Sequence, residues 1–180
     1  MYKIIAKVGF IMRKNRKIVK EGYVEGVDVP ISTYFPEILN SGSEYKNQLT
    51  IWNLLTHTTG LDASDTANWN EWLNSSNWVD YVLNRQAVSR PGTVFNYFTG
   101  NTHLLSAIIQ QVTGKTTYDF GKEHLFEPFD MDSVECTTDP QGISDGGNGF
   151  AMNVVVFTSH YEGDTSIYWQ LMNDIVNACQ

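Results

Sequence analysis

The 180-residue chain has little cysteine, no long apolar run and no metal-binding spacing. Its two cysteines, Cys136 and Cys179, are too few for a disulfide framework, and we interpret them as two ordinary thiols. No stretch approaches the roughly 18 apolar residues of a membrane helix, so no membrane association is predicted. Zinc-binding spacings are absent around the four histidines, which are His57, His103, His124 and His160. We therefore predict no metal and no cofactor, and we interpret the histidines as structural or exposed. The sequence indicates no compartment.

Acidic residues are missing from the first 20 positions, although the whole chain has a net charge of −8. Those positions contain seven of the twelve basic residues, which are Lys3, Lys7, Arg13, Lys14, Arg16, Lys17 and Lys20. The rest of the chain is strongly acidic, which disfavours nucleic-acid binding, and no nucleic-acid partner is predicted. The basic segment could be an arm that binds nucleic acid or an anionic membrane. We favour an apolar strand or a strand pair that turns at residues 13–16, since Ile4, Ile5, Val8, Phe10 and Ile11 are interleaved with the charges.

An apolar fraction of 42% and 23 aromatic residues are present, as is typical of a globular protein. Helical periodicity and capping residues predict helices from Thr50 to about His57, from Ser75 or Ser76 through Leu83, from near Asn101 to Thr113, from Thr117 to about Phe126, and from Ser166 to Cys179. Residues 154–157 are a strand candidate. Residues 28–36 are broken by two prolines and predict a packed loop, and the glycines of residues 139–149 predict a flexible turn.

Two short spacings match catalytic motifs. Residues 142–146 fit G-x-S-x-G around Ser144, but no strand precedes the serine and no helix follows it, as a nucleophile elbow requires. Ser43 and Lys46 fit S-x-x-K, in which the lysine can accept the proton of the serine. They lie in a polar stretch where we expect no apolar helix to bury the lysine and lower its pKa. We interpret both matches as coincidence.

Two longer motifs are more specific. Residues 54–61 read LLTHTTGL, and residues 91–100 read PGTVFNYFTG and lead into the apolar helix. With the shorter segments 112–114 and 126–131, they resemble the serine β-lactamase and penicillin-binding-protein-like hydrolases, most closely the esterase and 6-aminohexanoate-oligomer hydrolase branch. The resemblance covers residues 21–153 and implies amide or ester hydrolysis by acyl transfer. It also implies that Tyr97 is catalytic and moves a proton between nucleophile, lysine and leaving group.

The chain departs from this family at two places. The S-x-x-K helix of the family would precede residue 21, but residues 1–31 contain no serine. After residue 153, relatives continue through a long sheet segment, whereas here the strand candidate at residues 154–157 follows at once. We interpret the chain as a truncated, inactive hydrolase that lacks the S-x-x-K helix and the central sheet region.

The resemblance implies a mainly α fold, namely the helical subdomain of the β-lactamase-like α/β fold with a small remnant β-sheet and a C-terminal helix. We expect a divergent basic segment (1–20), the helical subdomain (21–153), and a C-terminal strand and helix packing on it (154–180). The partner would be a small amide or ester substrate if the chain is active. Two alternatives stay open: a non-catalytic small-molecule or peptide binding module, and an inactive structural fragment that forms a homo-oligomer through an exposed apolar face. The binding module would use Trp52, Trp69, Trp72 and Trp78.

Overall fold

The fold is mainly helical in the residues that the structure, a computed structural model, describes: 17–127, 134–147 and 150–152. The α-helices are α1 (Lys17–Lys20), α2 (Glu44–Asn47), α3 (Ile51–Leu55), α4 (Asp65–Leu73), α5 (Trp78–Leu83), α6 (Thr99–Thr113) and α7 (Thr117–Gly121). Short 3-10 helices span Ile31–Thr33 and Pro36–Ser41, and a π-helical turn, Lys122–Phe126, continues α7. The strands β1 (Val134–Cys136) and β2 (Phe150–Met152) pair antiparallel.

Helix α6 is the centre of the core. Its apolar residues Leu104, Leu105, Ile108 and Ile109 are completely buried, and each such side chain stabilises the fold by about 1.5–3 kcal/mol. Burial extends around the whole helix over its first eleven residues, because α6 packs against α3, α5 and α7. Gly114 ends the helix in the left-handed conformation (φ 68°), as its position after Thr113 predicted.

The predicted helices within the described residues are present, with small shifts in their bounds. Helix α6 begins two residues earlier than predicted, at Thr99, and α3 ends at Leu55. At the start of α3, the Asn53 side-chain oxygen accepts hydrogen bonds from the backbone N–H and the hydroxyl of Thr50, each at 3.0 Å. Residues 28–36 form a loop with a single 3-10 turn, as the prolines predicted.

Helix α4 was not predicted, and the cap expected for α5 was wrong. The N-cap of α5 is Asn77, whose side-chain oxygen accepts from the Asp80 N–H at 3.0 Å. The Ser75 hydroxyl instead donates to the Trp72 carbonyl at 2.7 Å and so closes α4. Most residues of α4 are polar, and its buried side is formed by tryptophan, so its sequence has no clear apolar stripe.

Residues 139–147 form a packed loop rather than the flexible turn that their glycines predicted. The Asp139 carboxylate accepts from the N–H groups of Gln141 and Ile143, each at 2.8 Å. Gly146 and Gly147 lie so close to α6 that a Cβ on either would collide with Thr102 or Thr99. The glycines therefore serve close packing of this loop on the helix.

The mainly α fold with a small sheet, predicted from the family resemblance, is confirmed in the described part of the chain. Several sequence predictions lie outside the described residues: the basic segment before residue 17, the strand at 154–157, the helix at 166–179, and Cys179. The division at residues 20 and 153 stays a prediction.

Candidate active site

Tyr97 lies in the extended segment that leads into α6. Its ring is half-buried and packs against the His57 imidazole, with ring centroids 4.6 Å apart. Phe95 contacts the same imidazole edge-on at 6.1 Å, and 68% of its surface is exposed. The tyrosine motif and the threonine-histidine motif, which are 40 residues apart in the sequence, thus form one aromatic cluster at the surface.

His57 is the buried member of this cluster. It has a left-handed backbone (φ 54°), and its carbonyl accepts from the Asn96 N–H at 2.9 Å. The Phe98 N–H lies 3.5 Å from His57 Nδ1, and because an N–H can only donate, Nδ1 is the acceptor and Nε2 holds the ring proton. Burial lowers the pKa of His57, against an opposing contribution from the Asp65 charge. The imidazole is neutral and packs between the end of α3 and the Tyr97 segment, in agreement with a structural role.

The Tyr97 phenol has one hydrogen-bond partner within the described part of the chain. Its oxygen lies 3.5 Å from the Thr99 hydroxyl, and none of the described serine hydroxyls or lysine amines is hydrogen-bonded to it. The Thr99 hydroxyl and N–H donate to the two oxygens of Asp65, at 2.6 and 2.7 Å. Burial raises the pKa of Tyr97, the Thr99 hydrogen bond lowers it and the Asp65 charge raises it, with a net upward shift. The phenol is therefore protonated at neutral pH.

Asp65 is the residue of this site that the sequence did not reveal. It is the first residue of α4, the helix that lacks a clear apolar stripe, and it lies 34 positions before Thr99. The available signal was Ser64, whose hydroxyl caps α4 by accepting from the Ala67 N–H at 3.3 Å. That pattern indicates a helix start but not which distant group the neighbouring carboxylate contacts.

Ser43 and Lys46 do not act together as a catalytic pair here. The Ser43 hydroxyl caps α2 by accepting from the Lys46 N–H at 3.4 Å. The Lys46 amine donates to the Leu83 carbonyl, 2.7 Å away at the end of α5. The expectation that this lysine is not buried was wrong: Lys46 is buried, and burial lowers its pKa. The reason is that α2 packs near the C-terminus of α5, where unpaired carbonyls attract a cation.

Ser144 is buried in the loop after β1 and serves its packing. Its hydroxyl accepts from the Tyr118 N–H at 3.2 Å, and its carbonyl accepts from the Ser106 hydroxyl at 2.6 Å. No helix follows it among residues 145–147. The G-x-S-x-G match at residues 142–146 is thus a coincidence of spacing, as predicted from its context.

A second buried polar contact ties the same loop to α6. His103 Nε2 and Asp139 Oδ2 are 3.0 Å apart, and both side chains are completely buried. Burial raises the pKa of Asp139, but the hydrogen bonds from His103 and from the Ile143 and Gln141 backbones outweigh it and hold the pKa below its ordinary value. His124 packs against Phe120, whereas His160 lies outside the described residues. The described residues contain no group of three His, Cys, Asp or Glu side chains placed to hold a metal ion.

The tryptophans do not form the aromatic cleft expected of a binding module. Trp72 and Trp78 are buried in the core and contact each other, with ring centroids 4.6 Å apart. Trp69 packs edge-on against Trp72, and Trp52 is exposed on α3. Because two of the four rings are interior, this set cannot line a site for a ligand.

Residues 18–154 of the chain match the β-lactamase family. The chain belongs to the β-lactamase family. This match covers both motifs, Tyr97 and Asp65. The predicted ancestry as a β-lactamase-family serine hydrolase is confirmed.

This chain is much shorter than the proteins to which it is similar. It is 30% identical over 104 residues to the penicillin-binding protein PbpX of Bacillus subtilis (strain 168), covering 57% of this chain and 24% of PbpX. A 6-aminohexanoate-dimer hydrolase from Bacillus anthracis superposes with a TM-score of 0.66 at 19% identity, covering 95% of this chain and 52% of that one. An octameric penicillin-binding protein homologue from Pyrococcus abyssi superposes with a TM-score of 0.58 at 18% identity, covering 82% and 40%.

The chain therefore spans about a quarter of the length of PbpX and about half or less of these two solved structures. At such low identity the structural likeness shows a shared fold. Among the residues that the structure describes, none of the helices has the length and apolar character needed to cross a membrane.

Proposed function

We propose that Tyr97 is the proton-transferring phenol of an acyl-transfer site for small amides or esters, and that this chain by itself has little or no hydrolytic activity. The main support for the proposal is the environment of the Tyr97 phenol. It is half-buried and protonated at a surface cluster, and its hydrogen-bond partner in the described part of the chain is a threonine, not a serine or a lysine.

Acyl transfer in this family requires a serine that attacks the carbonyl, and bases that take its proton and later return it to the leaving group. A phenol near the reaction centre fits the proton-transfer role but cannot replace the nucleophile. The described residues that match S-x-x-K, Ser43 and Lys46, are both occupied in capping helices. Where a serine protease lacks its nucleophile, rate enhancement falls to roughly 10³-fold over water.

The test is covalent labelling of the chain with a fluorophosphonate and with a fluorescent penicillin, followed by mass spectrometry. We expect no adduct, and no turnover of nitrocefin or p-nitrophenyl esters, because neither probe meets an activated serine. An active member of the family, labelled in parallel, is the positive control. An adduct that is lost in Ser43→Ala or Ser144→Ala, but retained in Ser75→Ala, would refute the inactivity and identify the nucleophile.

We also propose that the chain self-associates through the apolar segment beside Tyr97. Val88, Val94 and Phe95 are all well exposed, and they lie on one segment that hydrogen-bonds to residues 57–60. Exposed apolar side chains gathered on one segment are typical of an interaction surface. The octameric relative from Pyrococcus abyssi supports assembly as a property within this family.

A further inference from the structure

We propose that Asp65 is a positioning residue that fixes the direction of the Tyr97 hydroxyl proton by acting through Thr99. The inference rests on the role proposed above for Tyr97, since a fixed phenol matters only if the phenol transfers a proton. The chain of hydrogen bonds that runs from Tyr97 through Thr99 to Asp65 can be tested without measuring turnover.

The first step concerns the start of α6. Thr99 is the first residue of this 15-residue helix, and the residue before it, Phe98, has no side-chain cap to offer. The Asp65 carboxylate, from the start of α4, accepts the Thr99 N–H at 2.7 Å and so serves as the missing cap. A carboxylate at a helix N-terminus is also favoured by the helix dipole. Both effects hold Asp65 in place beside the Tyr97 segment.

The second step concerns the main chain of Tyr97. The Asp65 N–H donates to the Tyr97 carbonyl at 3.4 Å, so Asp65 contacts residues on both sides of Phe98. The Asn96 side chain donates to the Ala63 carbonyl at 2.7 Å and ties the same two segments together. Tyr97 is thus anchored by its backbone to the start of α4, and His57 restrains its ring.

The third step concerns the directions of the hydrogen bonds that the Thr99 hydroxyl makes with Asp65 and Tyr97. An ionised carboxylate can only accept, so the Thr99 hydroxyl must donate its single proton to Asp65, over 2.6 Å. Towards Tyr97, at 3.5 Å, the same hydroxyl can then act only as an acceptor. The Tyr97 O–H therefore points to Thr99, and the lone pairs of the phenol oxygen remain available to a hydrogen-bond donor on the other side. In this orientation the phenol oxygen can accept a hydrogen bond from a substrate or nucleophile.

The titratable groups that face the phenol are Asp65 and the neutral His57 ring. Asp65 acts on the ionisation of Tyr97 in two ways that have the same sign. Its charge disfavours the phenolate, and it holds the Thr99 proton that would otherwise be donated to that ion. A residue that only caps α6 would have the first effect but not the second.

The experiment measures the pKa of Tyr97 by NMR in the whole chain with tyrosine labelled at ¹³Cζ, and Tyr97→Phe assigns the signal. We expect Asp65→Asn to lower this pKa, because the charge is removed and the Thr99 hydroxyl becomes free to donate to the phenolate. In a Thr99→Val background the same substitution should lower the pKa by less, since only the charge effect remains. A Thr99→Ser background, which restores a hydroxyl, should restore the full effect.

An equal effect of Asp65→Asn in the wild-type and Thr99→Val backgrounds, no effect in either, or a failure of Thr99→Ser to restore the full effect would each overturn the proposal. If loss of the cap prevents Asp65→Asn from folding, Asp65→Ser, which keeps an uncharged cap, takes its place in the same comparison. The measurement uses the chain without substrate, so a failure of the labelling and turnover expectations would bear on the proposed function alone.

Discussion

Asp139 illustrates how much a single buried carboxylate contributes to this molecule. It accepts hydrogen bonds from His103 and from two backbone N–H groups, and it has no contact with solvent. Leaving a buried donor without its acceptor typically costs about 1–3 kcal/mol, and more where the acceptor is charged. We expect Asp139→Asn, which keeps one acceptor oxygen, to lower the free energy of unfolding in urea by about 3 kcal/mol.

The matched control is Asp62→Asn, because Asp62 pairs with Arg85 over 3.7 Å at the surface with 65% of its side chain exposed. Such a pair contributes at most about 1 kcal/mol to the free energy of unfolding.

The pH dependence of the stabilisation by Asp139 follows from its lowered pKa. Its stabilisation is complete above the unfolded-state pKa of about 3.9 and is lost as the pH falls through the folded-state value. The difference in the free energy of unfolding between wild type and Asp139→Asn should therefore become smaller in acid. A difference that does not change with pH would contradict a stabilising role of the ionised carboxylate.

At the scale of secondary structure, the sequence predicted the helices that have an apolar stripe and missed elements without one, among them α2, α4 and the strands β1 and β2. Helices α3, α5 and α6 were visible from periodicity and capping residues, whereas α4 is mostly polar. Because α4 supplies Asp65, the site could be predicted only as far as Tyr97, which lies in a recognisable motif. The burial of Lys46 likewise depends on α5, whose Leu83 is 37 positions away in the sequence. No local sequence pattern predicts such a contact.

The packing of the loop at residues 139–147 on α6 is the contact between elements that is most sensitive to substitution. A methyl group at Gly147 would collide with the Thr99 side chain, next to the Tyr97 phenol. We expect Gly147→Ala to lower the free energy of unfolding by about 1–3 kcal/mol, as overpacking usually does. It should also shift the NMR signal of Tyr97, because Thr99 must move.

Gly26→Ala is the control for this variant, since nothing lies within 4 Å of a Cβ at that position and its backbone does not require glycine. A surface change of this kind usually alters stability by less than about 0.5 kcal/mol. Equal effects of the two substitutions would show that residues 146–147 are not packed against α6.

For the whole molecule, one region combines the features that point to function. The two family motifs bring Tyr97 and His57 together, α4 adds the capping Asp65, and the exposed side chains of Val94 and Phe95 border this cluster. Exposed apolar side chains also lie elsewhere in the described residues, such as Leu39 on the 3-10 helix Pro36–Ser41. The proposed self-association should therefore depend on the segment beside Tyr97, not on exposed apolar area in general.

Sedimentation velocity over a wide range of protein concentrations tests this dependence. We expect the chain to associate as its concentration rises, and Phe95→Ser to weaken the association, because Phe95 is 68% exposed in the apolar segment. Leu39→Ser is the matched control: Leu39 is 49% exposed but lies on the 3-10 helix at Pro36–Ser41. A chain that stays monomeric at every concentration would exclude self-association. Equal weakening by both variants would instead mean that the association is non-specific, because a specific interface concentrates its binding energy in a few side chains.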